Sequence, residues 1–203
     1  MLEAVDVQPI DRRHAADALN LLGELRLSLF GVQSRRLHTA LVDDGLRRRI
    51  DFRIALDANG VCGVVLTAPA SFWLQAPVMH WGLALECLQA RITGGGSSLH
   101  PVLRADAASN VQADSGAPLR TWSEPGDAWR VILIGTAERA RGRGVAAQLY
   151  RSVMADRSLV ARIALDNGPS LRLHRSLGWR LYRDADVVTA VYVRDHSAAA
   201  GTR

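Results

Sequence analysis

The chain has 203 residues, 48% of them apolar and 22% charged, which is enough hydrophobic surface for one full core and excludes a disordered or fibrous class. Its formal charge is +5 and it has no lysine, so all 25 basic residues are arginine; that excess is small beside a nucleic-acid footprint, and no nucleic-acid partner is expected. The two cysteines, Cys62 and Cys87, lie in no CxxC pair and near no histidines in ligand spacing, so neither a disulfide framework nor a metal site is expected.

The N-terminal MLEAVDVQPIDRRH puts acids where a secretory signal carries bases and has no long apolar run, which predicts a cytoplasmic protein. Glu3 to Pro9 alternates apolar and polar residues like a strand. Asp11 is then placed to cap a helix whose apolar face carries Ala15, Ala16, Leu19, Leu21, Leu22 and Leu25. Ser34 is placed to cap a second helix with Leu37, Leu41 and Leu46 and a basic end at Arg47, Arg48 and Arg49. Phe52 to Leu56 and Val61 to Thr67 are β-rich runs joined through Asn59-Gly60, an antiparallel hairpin signal.

Ala68 to Ile92 leans apolar, but Gln75, Pro77, His80, Glu86, Gln89 and Arg91 interrupt it, so a buried helix over Ser71 to Arg91 is expected in place of a membrane span. Gly94 to Asp127 is rich in glycine, serine and proline and reads as one long irregular segment. Trp129 to Thr136 reads as a buried strand, Val145 to Met154 as an amphipathic helix, and Val160 to Leu165 as another buried strand. Ser170 to Leu177 follows as a short helix stopped by Gly178, and Trp179 to Tyr182 with Val187 to Val193 as a last strand pair. The small, polar residues 196–203 read as a disordered tail. The class is α/β, or α+β in stricter usage: one domain over residues 1–195 with a mixed, mostly antiparallel sheet of about six to seven strands and helices on both faces.

The segment VILIGTAERARGRGVAAQLY, Val131 to Tyr150, carries the chemistry. Its strand, glycine-rich turn and helix make an anion site: glycines let the backbone approach closely, the first N–H groups of the helix are spare, and the helix dipole adds partial positive charge. A Walker loop needs a lysine that the chain lacks, and a strict GxGxxG fails at Ala147; Gly142, Gly144 and Ala147 match only the relaxed dinucleotide form, with Asp166 the nearest candidate for the acidic residue that form needs at a strand end about 20 residues on.

This segment resembles the acetyl-CoA motif of the GNAT acetyltransferase superfamily, Q/RxxGxG/A, which Arg139, Gly142 and Gly144 match in full. A second stretch, NGPSLRLHRSLGW from Asn167 to Trp179, is similar to the family's NxxAxxLYxxxGF, with Asn167, Ser170, Leu173, Gly178 and Trp179 in register. The resemblance implies acetyl-CoA as cofactor. The backbone from Arg141 through Ala146, including Gly142, Arg143, Gly144 and Val145, would hold its pyrophosphate, and Ile134, Gly135 and Thr136 its pantetheine arm. It is sharp over Trp129 to Val193, topological over Met1 to Thr67, and absent over the acceptor-side insert at about 70–127. Homodimers are common in the family, so a dimer is a further expectation.

One departure bears on mechanism: His174 occupies the position of the family tyrosine that protonates the leaving CoA thiolate. An imidazole can supply that proton, or it can simply pack beside the cofactor while solvent does so. For the base that takes the acceptor's proton the candidates are Asp166, at the end of its strand beside Asn167, and Asp127. The activity implied is direct acetyl transfer from acetyl-CoA to a primary amine, of a small molecule such as an aminosugar or metabolite amine or else of a protein; a non-catalytic acyl-CoA-binding module is the alternative.

Overall fold

In the computed structural model the described residues are 5–25, 34–72, 112–113, 127–184 and 187–194. The strands are β1 (Asp6–Pro9), β2 (Asp51–Asp57), β3 (Gly60–Pro69), β4 (Gln112–Ala113), β5 (Trp129–Thr136), β6 (Leu159–Ala164), β7 (Arg180–Asp184) and β8 (Val187–Tyr192). They form one sheet in the order β1-β2-β3-β5-β6-β8-β7-β4, antiparallel throughout except for the β5–β6 pair. The helices are α1 (Ala15–Glu24), α2 (Arg35–Leu46), α3 (Val145–Met154) and α4 (Gly168–Ser176).

Most of the elements follow their local pattern. β3 lies between β2 and β5 and is covered on both faces, so its run GVCGVVLTAP is buried almost end to end. α1 buries Ala18, Leu21 and Leu22 at helical spacing, and Ser34 caps α2 by accepting a hydrogen bond from the Leu37 N–H at 3.1 Å. Asp11 acts one turn earlier than its expected capping role. Its Oδ1 accepts from the N–H groups of Arg13 at 3.0 Å and His14 at 3.2 Å, closing a turn before α1 begins at Ala15.

Among the described residues the sheet has the seven long strands expected plus the two-residue β4. β4, inside the segment expected to be irregular, sets Gln112 and Ala113 against Arg183 and Tyr182 of β7. Of the helix expected over Ser71 to Arg91, everything beyond Phe72 lies outside the described residues, as does the tail from His196.

Two cores result. On one face α1 and α2 pack on Ile10, Phe52, Ile54, Val64, Leu66 and Leu133. On the other, Val145, Leu149 and Val153 of α3 and the partly buried Leu171 and Leu173 of α4 meet Ala55, Val65, Ile163, Trp179 and Val188. A residue such as Leu149, with no exposed surface, contributes roughly 2 kcal/mol by leaving water. Among the described residues no helix is long and apolar enough to cross a membrane.

Candidate cofactor cleft

β5 and β6 are parallel neighbours for only two residue pairs, Trp129 with Leu159 and Arg130 with Val160. Beyond them the strands part. The cause lies in β5: its register with β3 jumps from Thr67↔Val131 to Leu66↔Leu133, leaving Ile132 as an extra residue in a bulge. A bulge bends and twists its strand, and this one follows directly on the last β6 pair. Among the described residues, β5 from Val131 to Thr136 therefore has β3 on one edge and an open edge on the other. Because a strand's amides alternate sides, every second residue turns its N–H and C=O into the gap. Ile134, Gly135 and Thr136 are half-buried there. Gly135 is closely packed: a Cβ on it would lie 2.5 Å from Leu25 Cδ1, just past the end of α1, and the leucine side chain would have to shift.

The chain leaves β5 by a tight route. The Ala137 N–H donates to the Cys62 carbonyl at 2.9 Å, a single 3₁₀ turn covers Glu138–Ala140, and Ala140 is buried. Gly142 and Gly144 then take φ of 74° and 77°, the left-handed region that side chains disfavour, and α3 starts at Val145. The first bond that closes this helix runs from the Gln148 N–H to the Gly144 carbonyl, and no side chain caps it. The N–H groups of Val145, Ala146 and Ala147 are thus left to a ligand or water. Together with the helix dipole they suit an anion placed over the exposed Gly142 and Gly144.

The arginines of the turn are disposed less simply than the motif suggests. Arg139 directs its guanidinium at the β2–β3 hairpin, with Nη2 donating to the Val61 carbonyl at 3.1 Å and lying 3.4 Å from Asp57 Oδ1. Arg143 also faces Asp57, with Nη1 3.5 Å from Oδ2, whereas Arg141 stands in solvent.

Across the gap, β6 runs out to the exposed Asp166 and to Asn167. Asn167 Oδ1 accepts from the Ser170 N–H at 3.1 Å and so caps α4, with Pro169 in the first turn; its amide NH₂ is what it can offer a ligand. His174 lies one turn further and is 1% exposed. Its Nδ1 donates to the Ser170 carbonyl at 2.7 Å, and its Nε2, 2.9 Å from the buried Tyr150 hydroxyl, accepts that proton. Burial holds the imidazole below its ordinary pKa and the Tyr150 phenol above its own, so the pair is neutral. The rings of Tyr150 and Trp179 flank it edge-on, with centroids 4.8 and 4.7 Å away.

Two residues of this region were not singled out by sequence. Tyr150 is only the last residue of the glycine-turn segment there, and Asp57 only one of the residues between two β-rich runs. No local signal separates either from that role.

A cavity of about 620 Å³ opens between α1 and α2, lined by Leu19, Asn20, Gly23, Glu24, Ser34, Arg35 and His38. The base candidate Asp127 is exposed at the start of β5, beside the closed end of the gap.

No family model and no curated protein matches the sequence. Solved structures do match in fold. YncA of Salmonella typhimurium with its cofactor acetyl-CoA shares 13% identity at a TM-score of 0.56, over 99% of this chain and 100% of that one. A GNAT-family chain from Desulfovibrio desulfuricans shares 13% at a TM-score of 0.52, over 95% and 99%. The ribosomal-protein-alanine N-acetyltransferase of Brucella melitensis shares 11% at a TM-score of 0.55, over 93% and 99%. The fold is therefore that of the GNAT acetyltransferases, as the two motifs implied.

Proposed function

We propose that the chain is an acetyl-CoA-dependent N-acetyltransferase that moves an acetyl group directly to a primary amine. The observation that carries this reading is the cleft itself: a strand with an unpaired edge, leading into a left-handed glycine turn and an uncapped helix start. An extended amide-bearing arm suits the free edge of β5 at Ile134, Gly135 and Thr136, and a diphosphate suits the amides of Gly142, Gly144, Val145 and Ala146; those of Arg141 and Arg143, also expected to take part, already donate to the Glu138 and Ala140 carbonyls at 3.1 and 3.4 Å. Acetyl-CoA joins these two chemistries in one molecule and supplies the activated acetyl group as a thioester. Asn167 and Ser170, on the opposite wall, offer an amide NH₂ and a hydroxyl to the same ligand.

In the reaction the amine nitrogen attacks the acetyl carbon, the carbon–sulfur bond breaks, and the proton lost by nitrogen is balanced by one gained on sulfur. Asp166, exposed beyond the open end of β6, is the base in this reading. His174 is not the acid: Nε2 holds no proton to give, and the ring is closed off from the cleft by its own burial. Solvent protonates the thiolate, a leaving group that needs little help near neutral pH.

A small acceptor is favoured by the α1–α2 cavity, whose volume falls in the range of small-molecule pockets and whose Asn20, Glu24, Arg35 and His38 provide polar contacts. Acetylation of a protein amine is the second reading, supported by the fold shared with the Brucella ribosomal-protein-alanine enzyme. Calorimetric titration with acetyl-CoA, CoA and ATP tests the first step. Micromolar binding of the CoA species alone supports the reading, and no binding overturns it. Thiol release with panels of small primary amines and of free N-terminal peptides then separates the two acceptor classes.

A further inference from the structure

Asp57 ends β2 directly beneath the glycine turn, and its side chain is only 3% exposed. Oδ1 accepts from the Asn59 N–H at 2.9 Å and lies 3.4 Å from Arg139 Nη2. Oδ2 lies 3.5 Å from Arg143 Nη1 and has no hydrogen bond of its own. Arg139 itself is also held to the hairpin through the Asn59 and Val61 carbonyls, at 3.5 and 3.1 Å. One buried carboxylate thus meets the two arginines that stand on either side of Ala140, Arg141 and Gly142.

We propose that Asp57 is a positioning residue for the cofactor's diphosphate, an inference that rests on the acetyl-CoA reading above. Two guanidinium groups four residues apart repel each other, and in solvent each would sample many rotamers. A carboxylate between them removes the repulsion and ties both ends of the turn to the rigid β2–β3 hairpin. The amides that face the ligand are then ordered before it arrives, so the ordering entropy is not lost on binding. Burial makes the arrangement sensitive to charge: without the carboxylate, Arg139 and Arg143 lose the group that both of them face.

Asp57→Asn tests this, because it keeps the shape and the bond from the Asn59 N–H while removing the charge. The acetyl-CoA Kd is expected to rise about tenfold in calorimetry, and the KM for acetyl-CoA to rise with it while the acceptor's KM does not, a split that general destabilisation would not give. Arg139→Gln, which keeps a donor for the Val61 carbonyl, is expected to weaken binding less, and its effect and that of Asp57→Asn should be non-additive in the double variant. If wild-type protein fails to bind acetyl-CoA, the acetyl-CoA reading falls and this inference with it. If wild type binds and a well-folded Asp57→Asn binds equally or more tightly, the positioning role alone is overturned. Should Asp57→Asn not fold, unchanged acetyl-CoA affinity in Arg139→Gln overturns it instead.

Discussion

Gly144 and Gly178 form a matched pair for testing what the glycine turn is for. Both are left-handed, at φ 77° and 79°, and a Cβ on either would meet no atom within 4 Å, so replacement by alanine incurs no clash at either site. The backbone cost of a left-handed alanine is about 1–2 kcal/mol, partly offset by roughly 0.4–1 kcal/mol from the narrower unfolded ensemble. Each variant should lose about 1 kcal/mol, which for a chain of this size lowers Tm by about 2–4 °C. They differ in what lies over the glycine. At Gly178 the new methyl ends α4, away from the gap; at Gly144 it stands at the uncapped start of α3, where the anion would sit. Scanning calorimetry should therefore find the two equally destabilised. Titration with acetyl-CoA should find affinity lost by more than about tenfold in Gly144→Ala and unchanged within about twofold in Gly178→Ala. Equal affinity in the two variants would refute the assignment of the turn.

Tyr150→Phe removes the donor to His174 Nε2 and leaves a buried acceptor unsatisfied, which should lower stability by about 1–2 kcal/mol in urea melts. His174 also sets a pH dependence. Burial holds its folded pKa below the ordinary 6.5, so as pH falls the unfolded chain takes up the proton first. Its contribution is complete above about pH 6.5 and is lost as pH falls below that value, with a slope of at most about 1.4 kcal/mol per unit; melts at pH 7.5 and 5.5 should show this in wild type and not in His174→Gln. Arg48, at φ 58°, holds the left-handed position after α2 that glycine favours, so Arg48→Gly should raise the unfolding midpoint by an amount equivalent to about 1 kcal/mol.

Elements that depend on their own residues were readable from sequence. The limits of α3 coincide with the apolar periodicity from Val145 to Met154, and the two-residue connection at Ala58 and Asn59 follows from Asn-Gly. Ser34 caps α2 because a hydroxyl three residues before a spare N–H needs no tertiary help. What escaped depends on distant neighbours. β4 is a strand only because Arg183 and Tyr182 of β7 offer it an edge, and nothing in the composition around Gln112 records that edge. Asp11 shows the complementary case: a local signal was read correctly as a carboxylate accepting backbone N–H groups, but the groups belong to a turn and the helix starts beyond it.

The same division runs through the candidate site. The glycine turn is contiguous, so its geometry could be expected from six residues. The orientation of its arginines could not, because it is decided by Asp57, 82 residues from Arg139 along the chain. Likewise His174 could be aligned with an acid by position, but whether its Nε2 holds a proton depends on Tyr150, on another helix. Both distant partners change the chemistry in one direction, away from charge. Arg139 and Arg143 share one carboxylate, so the turn presents less positive charge than its three arginines suggest, and His174 stays neutral. A diphosphate in this cleft would therefore be held chiefly by oriented backbone amides and the start of α3, an attraction that salt should weaken less than it would a contact made by free arginine side chains.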